Sequence, residues 1–201
     1  MLSKEEKKVS ISFIKKELSK YLSKERLKHV EGVEVFGLLL ALKYNADLYK
    51  VAVAALLHDI AKDMTLPLMK TLINKANIEM DSYFIKHTDL WHGPVGAYIA
   101  KSKFDISDEE ILSAIKYHST GKPNMSLVEQ IIFVADYCEP NRKFMNVDKM
   151  RDIALKNINK ATLAILCLKQ DYLTSIGVTP HPISLEAITF YKKILNRNGE
   201  K

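Results

Sequence analysis

The side chains able to do chemistry come in a fixed order: His29, the adjacent pair His58–Asp59, His92, His118 and Asp136. Each lies on, or at the end of, an otherwise apolar segment. The doublet closes the run of "VAVAALLHDIAKD", Val51 to Asp63, and Asp136 interrupts "IIFVADY". An imidazole or carboxylate among apolar side chains is costly unless something pairs with it. A lone helical histidine is ordinarily a surface or hydrogen-bonded core residue, and an isolated His-Asp pair says little. The ordered set of four imidazoles and two carboxylates says more. Such nitrogen and oxygen donors suit Zn, Fe, Mn or Co ions. Two ions roughly 4 Å apart, bridged by one carboxylate, acidify a water and clamp the oxygens of a group under in-line attack.

Positioning these ligands falls to helices. Val9, Ile11, Phe13, Ile14, Leu18 and Leu22 recur at three- and four-residue steps. A second helical segment runs from about Lys24 to Tyr44 with His29 on it. A third starts near Leu48 and delivers His58 and Asp59 at its end. Thr65 can cap a fourth, with Pro67 in its first turn. His92 opens a helix entered through Gly93 and Pro94. In "SDEEILSAIKYH", Ser107 and Glu110 hold capping-box positions and His118 ends the helix; Ser126 and Glu129 repeat the device ahead of Asp136. Helices near Val147–Asn157 and Lys160–Ile176 precede a "GVTPHP" loop, and Ser184 can cap a last helix to about Asn196. "VAVAALL" has no partner strand, so the reading is all-α, with a small helical C-terminal extension after Asn146. "STGKPNM" and "EPNR" read as loops within one domain, 1–201.

Composition narrows the class. The chain is 47% hydrophobic and 27% charged, enough for an ordinary core. Its net charge of +6 comes from lysines that are dispersed apart from Lys4–Lys8 and Lys15–Lys16, with no arginine stripe. A nucleic-acid partner is therefore not expected. Cys138 and Cys167 lack CxxC spacing, and no apolar run approaches the ~18 residues of a membrane span. A cytoplasmic protein is expected, with the oligomeric state open and a homodimer included.

At these residues the sequence resembles the HD-domain metal-dependent phosphohydrolases, whose H…HD…D pattern is matched by His29, His58–Asp59 and Asp136. His92 and His118 resemble the additional ligands of dinuclear members. "LLHDIAKDM", "WHGPVGAYIA", "AIKYHSTGKPNMS", "IIFVADYCEPNR" and "TPHPISLEAI" are similar to the YqeK-type family, over about residues 24–190. The resemblance implies an HD-domain helical bundle. It also implies symmetrical cleavage of the dinucleoside polyphosphate diadenosine tetraphosphate to two ADP, at a dinuclear site where iron is favoured over Mn, Co or Zn. It further implies metal ligation by His29, His58, Asp59, His92, His118 and Asp136, with Asp59 bridging and Asp59 and Lys62 in the catalytic role. Nucleotide contacts would fall at Gly32, Asp59, Ile60, Ala61, Lys62, His92, His118, Ala135, Asp136 and Arg142, and along Thr179, Pro180, His181, Pro182, Ile183 and Ser184. Gly93 stands where the family leads one to expect alanine, a small-for-small change that leaves His92 untouched.

Elementary chemistry fits several of these roles. Lys62, four residues after His58, shares its side if the helix continues. Arg142 can fork onto a terminal phosphate. Gly32, one turn after His29, would let a ligand approach closely. The prolines of "VTPHP" stiffen a loop able to wall an adenine pocket. The alternatives are solvated surface charges for Lys62 and Arg142, a core residue for Trp91, a surface residue or one just behind the ligands for His87, and packing within the loop for His181. Other HD-type activities stay open at this level: nucleotidase, cyclic-nucleotide phosphodiesterase or alarmone hydrolase.

Overall fold

The computed structural model describes residues 9–199; the basic cluster Lys4–Lys8 lies outside them. Among the described residues the chain is helical throughout, without a strand. In order come α1 (Ile11–Leu18), α2 (Lys24–Tyr44), α3 (Leu48–Leu57), α4 (Leu66–Ala76), α5 (Ser82–Lys86) and a 3-10 turn (Thr88–Leu90). Then follow α6 (His92–Phe104), α7 (Glu109–Tyr117), α8 (Leu127–Cys138), α9 (Val147–Lys156), α10 (Ile158–Ser175) and α11 (Pro182–Gly199).

Capping chemistry sets most boundaries. The Ser23 and Asp47 side chains accept the amides of Arg26 and Lys50, starting α2 and α3. Ser126 and Glu129 form the expected reciprocal box at α8. Two expected caps are displaced. At α7 the cap is Asp108, not Ser107: its carboxylate accepts the amides of Glu110 and Ile111, and Lys50 Nζ reaches it at 2.9 Å. Glu110 accepts Lys50 at 2.8 Å. At α11 the helix already begins at Pro182, whose fixed φ suits a first helical position. Ser184 therefore lies inside the helix, and its hydroxyl donates to the Thr120 carbonyl at 2.8 Å. Helix α5, capped by Asp81, had no clear sequence signal.

Helix α3 is buried on every side from Val51 to Leu57, which explains its unbroken apolar run. It packs between α2, α7 and α8. Helix α6 lies along α7, α9 and α10 pack onto α8 and each other, and α11 packs onto α10. One apolar core extends from Ile14 through Phe133 to Tyr191, so the C-terminal helices share it. The Tyr44 hydroxyl, at the end of α2, donates to the Ala154 carbonyl of α9 at 2.6 Å. Among the described residues no helix is long and apolar enough to cross a membrane.

Candidate metal centre and its flanking cavities

The six residues come from five helices. His29 sits in α2, His58 and Asp59 at the end of α3, His92 at the start of α6, His118 at the end of α7 and Asp136 in α8. They converge around Asp59, whose two oxygens face different partners. Oδ2 lies 3.7 Å from both His29 Nε2 and His58 Nε2. Asp136 Oδ1 completes that side, 3.2 and 3.9 Å from the same two nitrogens. Asp59 Oδ1 lies 3.6 Å from His92 Nε2 and 3.4 Å from His118 Nε2, which are 3.1 Å apart. One carboxylate thus joins a group of two imidazoles and a carboxylate to a second pair of imidazoles.

The rings are held by their other nitrogens. Nδ1 of His58, His92 and His118 each lies 2.7 Å from the carbonyl three residues earlier, that of Ala55, Asp89 and Ile115. A carbonyl only accepts, so each Nδ1 carries the proton and each Nε2 turns its lone pair inward. His29 Nδ1 is 3.3 Å from Oε1 of Glu139, which is buried. His29 Nε2 and His58 Nε2 are buried with no hydrogen bond of acceptable geometry. Orphaned lone pairs beside two carboxylates suit a cation better than they suit one another.

Protonation agrees with that reading. Complete burial lowers His58 to about 4. Burial, with the neighbouring His118 and Lys62, holds His92 well below its usual range. Burial alone would raise Asp59, but the imidazoles of His58, His118 and His92 outweigh it and keep the carboxylate ionised. Asp136 is likewise low: burial opposes, and His29 and Lys169 prevail. Only His29 is raised, because Asp136 and Asp59 more than offset its burial. Ionised carboxylates and neutral imidazoles are the ligand forms metals bind.

Two cavities flank the centre. On the His118 side an apolar cavity lies between α5, the segment after α7, α10 and the loop before α11. Tyr83, Leu90, Leu166, Leu173, Val178 and Pro180 supply its walls. Ser119 lines it too, and its Oγ is 3.0 Å from His118 Nε2, so this residue stands between the cavity and the centre. On the His29 side, a polar cleft holds Arg26, Lys28, Asn141 and Arg142.

The remaining expected contacts divide between these regions. Lys62 Nζ stands 3.4 Å from His92 Nε2, while Arg142 Nη2 is 3.4 Å from Asp136 Oδ1 on the opposite flank. The two cations therefore lie on different flanks of the centre. Pro180, His181 and Ser184 line the apolar cavity, and Tyr83 donates to the Thr179 carbonyl. His181 Nδ1 accepts the Ile183 amide, and its Nε2 is 3.1 Å from Asp81, so this ring braces the loop. Ile60, Ala61 and Ala135 are wholly buried in the core. His87 stacks on Tyr83 at 3.9 Å, and the Trp91 indole donates to the Phe84 carbonyl.

Two glycines act differently from expectation. The space beside Gly32 is filled by the Glu139 carboxylate and the Asn141 amide, so it admits the group that braces His29. Gly93 is not interchangeable with alanine: a Cβ there would stand 2.5 Å from the Lys116 carbonyl oxygen. Four further residues escaped the sequence reading. Arg26 bonds Asp59 Oδ2 at 2.8 Å, and its place one turn before His29 was the available hint. Glu139 sits within the quoted "CEPNR", Ser119 follows His118, and Lys169 follows the apolar "LAILCL".

The fold and this donor set define a class: the chain belongs to the HD domain family, which residues 26–141 match. More particularly, it is 38% identical to the symmetrical bis(5'-nucleosyl)-tetraphosphatase of Halalkalibacterium halodurans, over 87% of this chain and 91% of that one. It is 41% identical to the protein of the same name from Bacillus subtilis, over 71% and 76% of the two chains. Its fold is similar to a crystal structure from Clostridium acetobutylicum described as a predicted HD superfamily hydrolase involved in NAD metabolism. That match has a TM-score of 0.88 and 35% identity over 92% of this chain and 97% of the other.

Proposed function

We propose that this chain hydrolyses diadenosine tetraphosphate symmetrically, adding one water across the central anhydride to release two ADP. The observation that carries the reading is the placement of Asp59. Its two oxygens face two donor groups, between an apolar cavity suited to a nucleoside and a polar cleft that carries Arg26, Lys28 and Arg142. The names of the relatives support the same substrate.

His29, His58, Asp136 and Asp59 Oδ2 would hold one ion, and His92, His118 and Asp59 Oδ1 a second. Iron is the first candidate and Mn, Co and Zn the alternatives. When bound, such ions stabilise charge developing on phosphoryl oxygens and acidify water. The chain's own residues do the rest. The Pro180–Ser184 segment walls a base without contributing charge. Lys62, beside His92, neutralises oxygens of the reacting phosphates. Arg142 and Arg26 now share carboxylate oxygens with the donor set. Where those oxygens serve a cation, both guanidinium groups are freed for phosphate on the polar flank.

Incubation with diadenosine tetraphosphate in water enriched with heavy oxygen, followed by chromatography and mass spectrometry, tests the reading. ADP as sole nucleotide product, with label in ADP, is expected. Equal ATP and AMP would overturn symmetrical cleavage. Turnover of dNTPs or cyclic dinucleotides in place of this substrate would point to another HD-type phosphohydrolase. Metal analysis of the protein as purified decides ion identity and number.

A further inference from the structure

Helix α10 sends one ammonium group toward the apolar cavity. Lys169 lines that cavity beside Ser119 and Leu166. Its Nζ donates to the Ser119 carbonyl at 3.1 Å and lies 4.6 Å from the centre of the Phe133 ring. From Ser119 the path continues into the metal centre, because its Oγ stands 3.1 and 3.0 Å from the inward nitrogens of His92 and His118. Lys169 thus stands between walls suited to a nucleoside and donors suited to a reacting phosphate.

An ammonium has three N–H donors, and the Ser119 carbonyl takes one. No carboxylate among the described residues lies within ion-pair distance of Lys169. The Asp136 and Asp59 carboxylates act on this half-buried cation only from beyond that distance, so its charge is incompletely balanced, which is unfavourable. The cost is removed when an anion arrives between cavity and centre. A lysine suits that task, being a point charge on a flexible stem that can follow successive oxygens along a polyphosphate. The Phe133 face and the Ser119 carbonyl hold the ammonium itself, and its other two donors have no hydrogen-bond acceptor among the described residues.

Resting on the proposed function, we infer that Lys169 binds the phosphates of the nucleotide half seated in the apolar cavity. It is the residue that makes the cavity select nucleotides over nucleosides. Its ammonium bonds the non-bridging oxygens between the ribose and the phosphorus under attack, while the walls hold the base. Lys169 is then a binding and register residue. It fixes how many phosphates separate the nucleoside from the centre.

The test compares ADP with adenosine, which differ only in the phosphates. Both are titrated calorimetrically into the metal-loaded wild type, Lys169→Met and Lys169→Arg. Losing a charge-assisted contact should weaken ADP binding to Lys169→Met by about 10- to 150-fold. Adenosine binding should stay within about twofold, and Lys169→Arg should recover most of the ADP affinity. A Met variant that weakens both ligands equally would reduce Lys169 to a packing role, and one that weakens neither would mean that no phosphate meets it; either overturns the inference. If circular dichroism shows Lys169→Met unfolded, Lys169→Gln is read by the same ratio. Hydrolysis of diadenosine tetraphosphate by the wild type is followed in parallel. Its absence would end the functional reading, while the ADP-to-adenosine ratio would still judge Lys169.

Discussion

Replacing Gly32 by alanine should cost the protein metal affinity, although residue 32 supplies no ligand atom. The added methyl would occupy the space that the Glu139 carboxylate now fills. That carboxylate braces His29 Nδ1 at 3.3 Å and accepts the Asn141 amide at 2.6 Å. Glu139 is a flexible side chain, so the strain is relieved by swinging the carboxylate away and α2 need not move. Alanine in a helix interior favours the fold over glycine by about 1 kcal/mol. The evicted carboxylate gives up charge-assisted bonds worth about 1.5–3 kcal/mol. The fold should therefore survive with a modest net loss, while the orientation of His29 does not. Removing a partner that orients a ligand typically costs about 10- to 100-fold in metal affinity. Competition with a graded chelator should place Gly32→Ala and Glu139→Gln together in that range. The double variant should be no worse than Glu139→Gln alone, because both remove one interaction. Wild-type affinity in Gly32→Ala beside a deficient Glu139→Gln would refute the reasoning, as would fully additive losses.

Three other outcomes follow from the geometry. Asp59→Ala should abolish activity and empty the centre, whereas Asp63→Ala, which loses a bond to the Ser23 amide, should keep its metal; equal losses by metal analysis and initial rates would mean the doublet is misassigned. Gly93→Ala pushes a methyl onto the Lys116 backbone where α6 meets α7, so it should cost about 1–3 kcal/mol in denaturant unfolding and displace His92 from His118; unchanged stability would show that the two helices can separate freely. Lys50→Met removes the cation that links α3 to Glu110 and Asp108. Bonds to those two carboxylates raise the Lys50 pKa, and Asp108 is held low because Lys50 and two amides outweigh its burial. A raised lysine stabilises below its unfolded value, and a lowered carboxyl stabilises above its own. The contribution, about 1 kcal/mol for so partly exposed a group, is thus present from about pH 4 upward through neutrality and lost as acid protonates Asp108. Unfolding of wild type and variant should differ at pH 7 and converge as acid titrates Asp108 through its lowered folded pKa; a constant gap would place the effect in packing.

What the sequence determined by itself was local or chemical. Helical spacing and caps such as Ser126–Glu129 act within one turn, so α2, α3 and α8 were legible from the chain alone. The ligand types were legible too, because a buried His or Asp in an apolar run demands a partner wherever the run folds. Competition between neighbouring caps was harder: Asp108 prevailed over Ser107 because Lys50, 58 positions away, adds its charge to the carboxylate. Only the tertiary structure could turn the two oxygens of Asp59 toward different histidines. Only it could bring Glu139 beside His29 across 110 positions, with Gly32 leaving the space. Lys169 reaches Ser119 across 50 positions for the same kind of reason. The alternation of helices around α3 decides such meetings, and each depends on where packed helices cross, a quantity that no single segment encodes. The same crossing made Gly93 strict where its segment alone allowed any small residue: the space it saves belongs to the backbone of another helix.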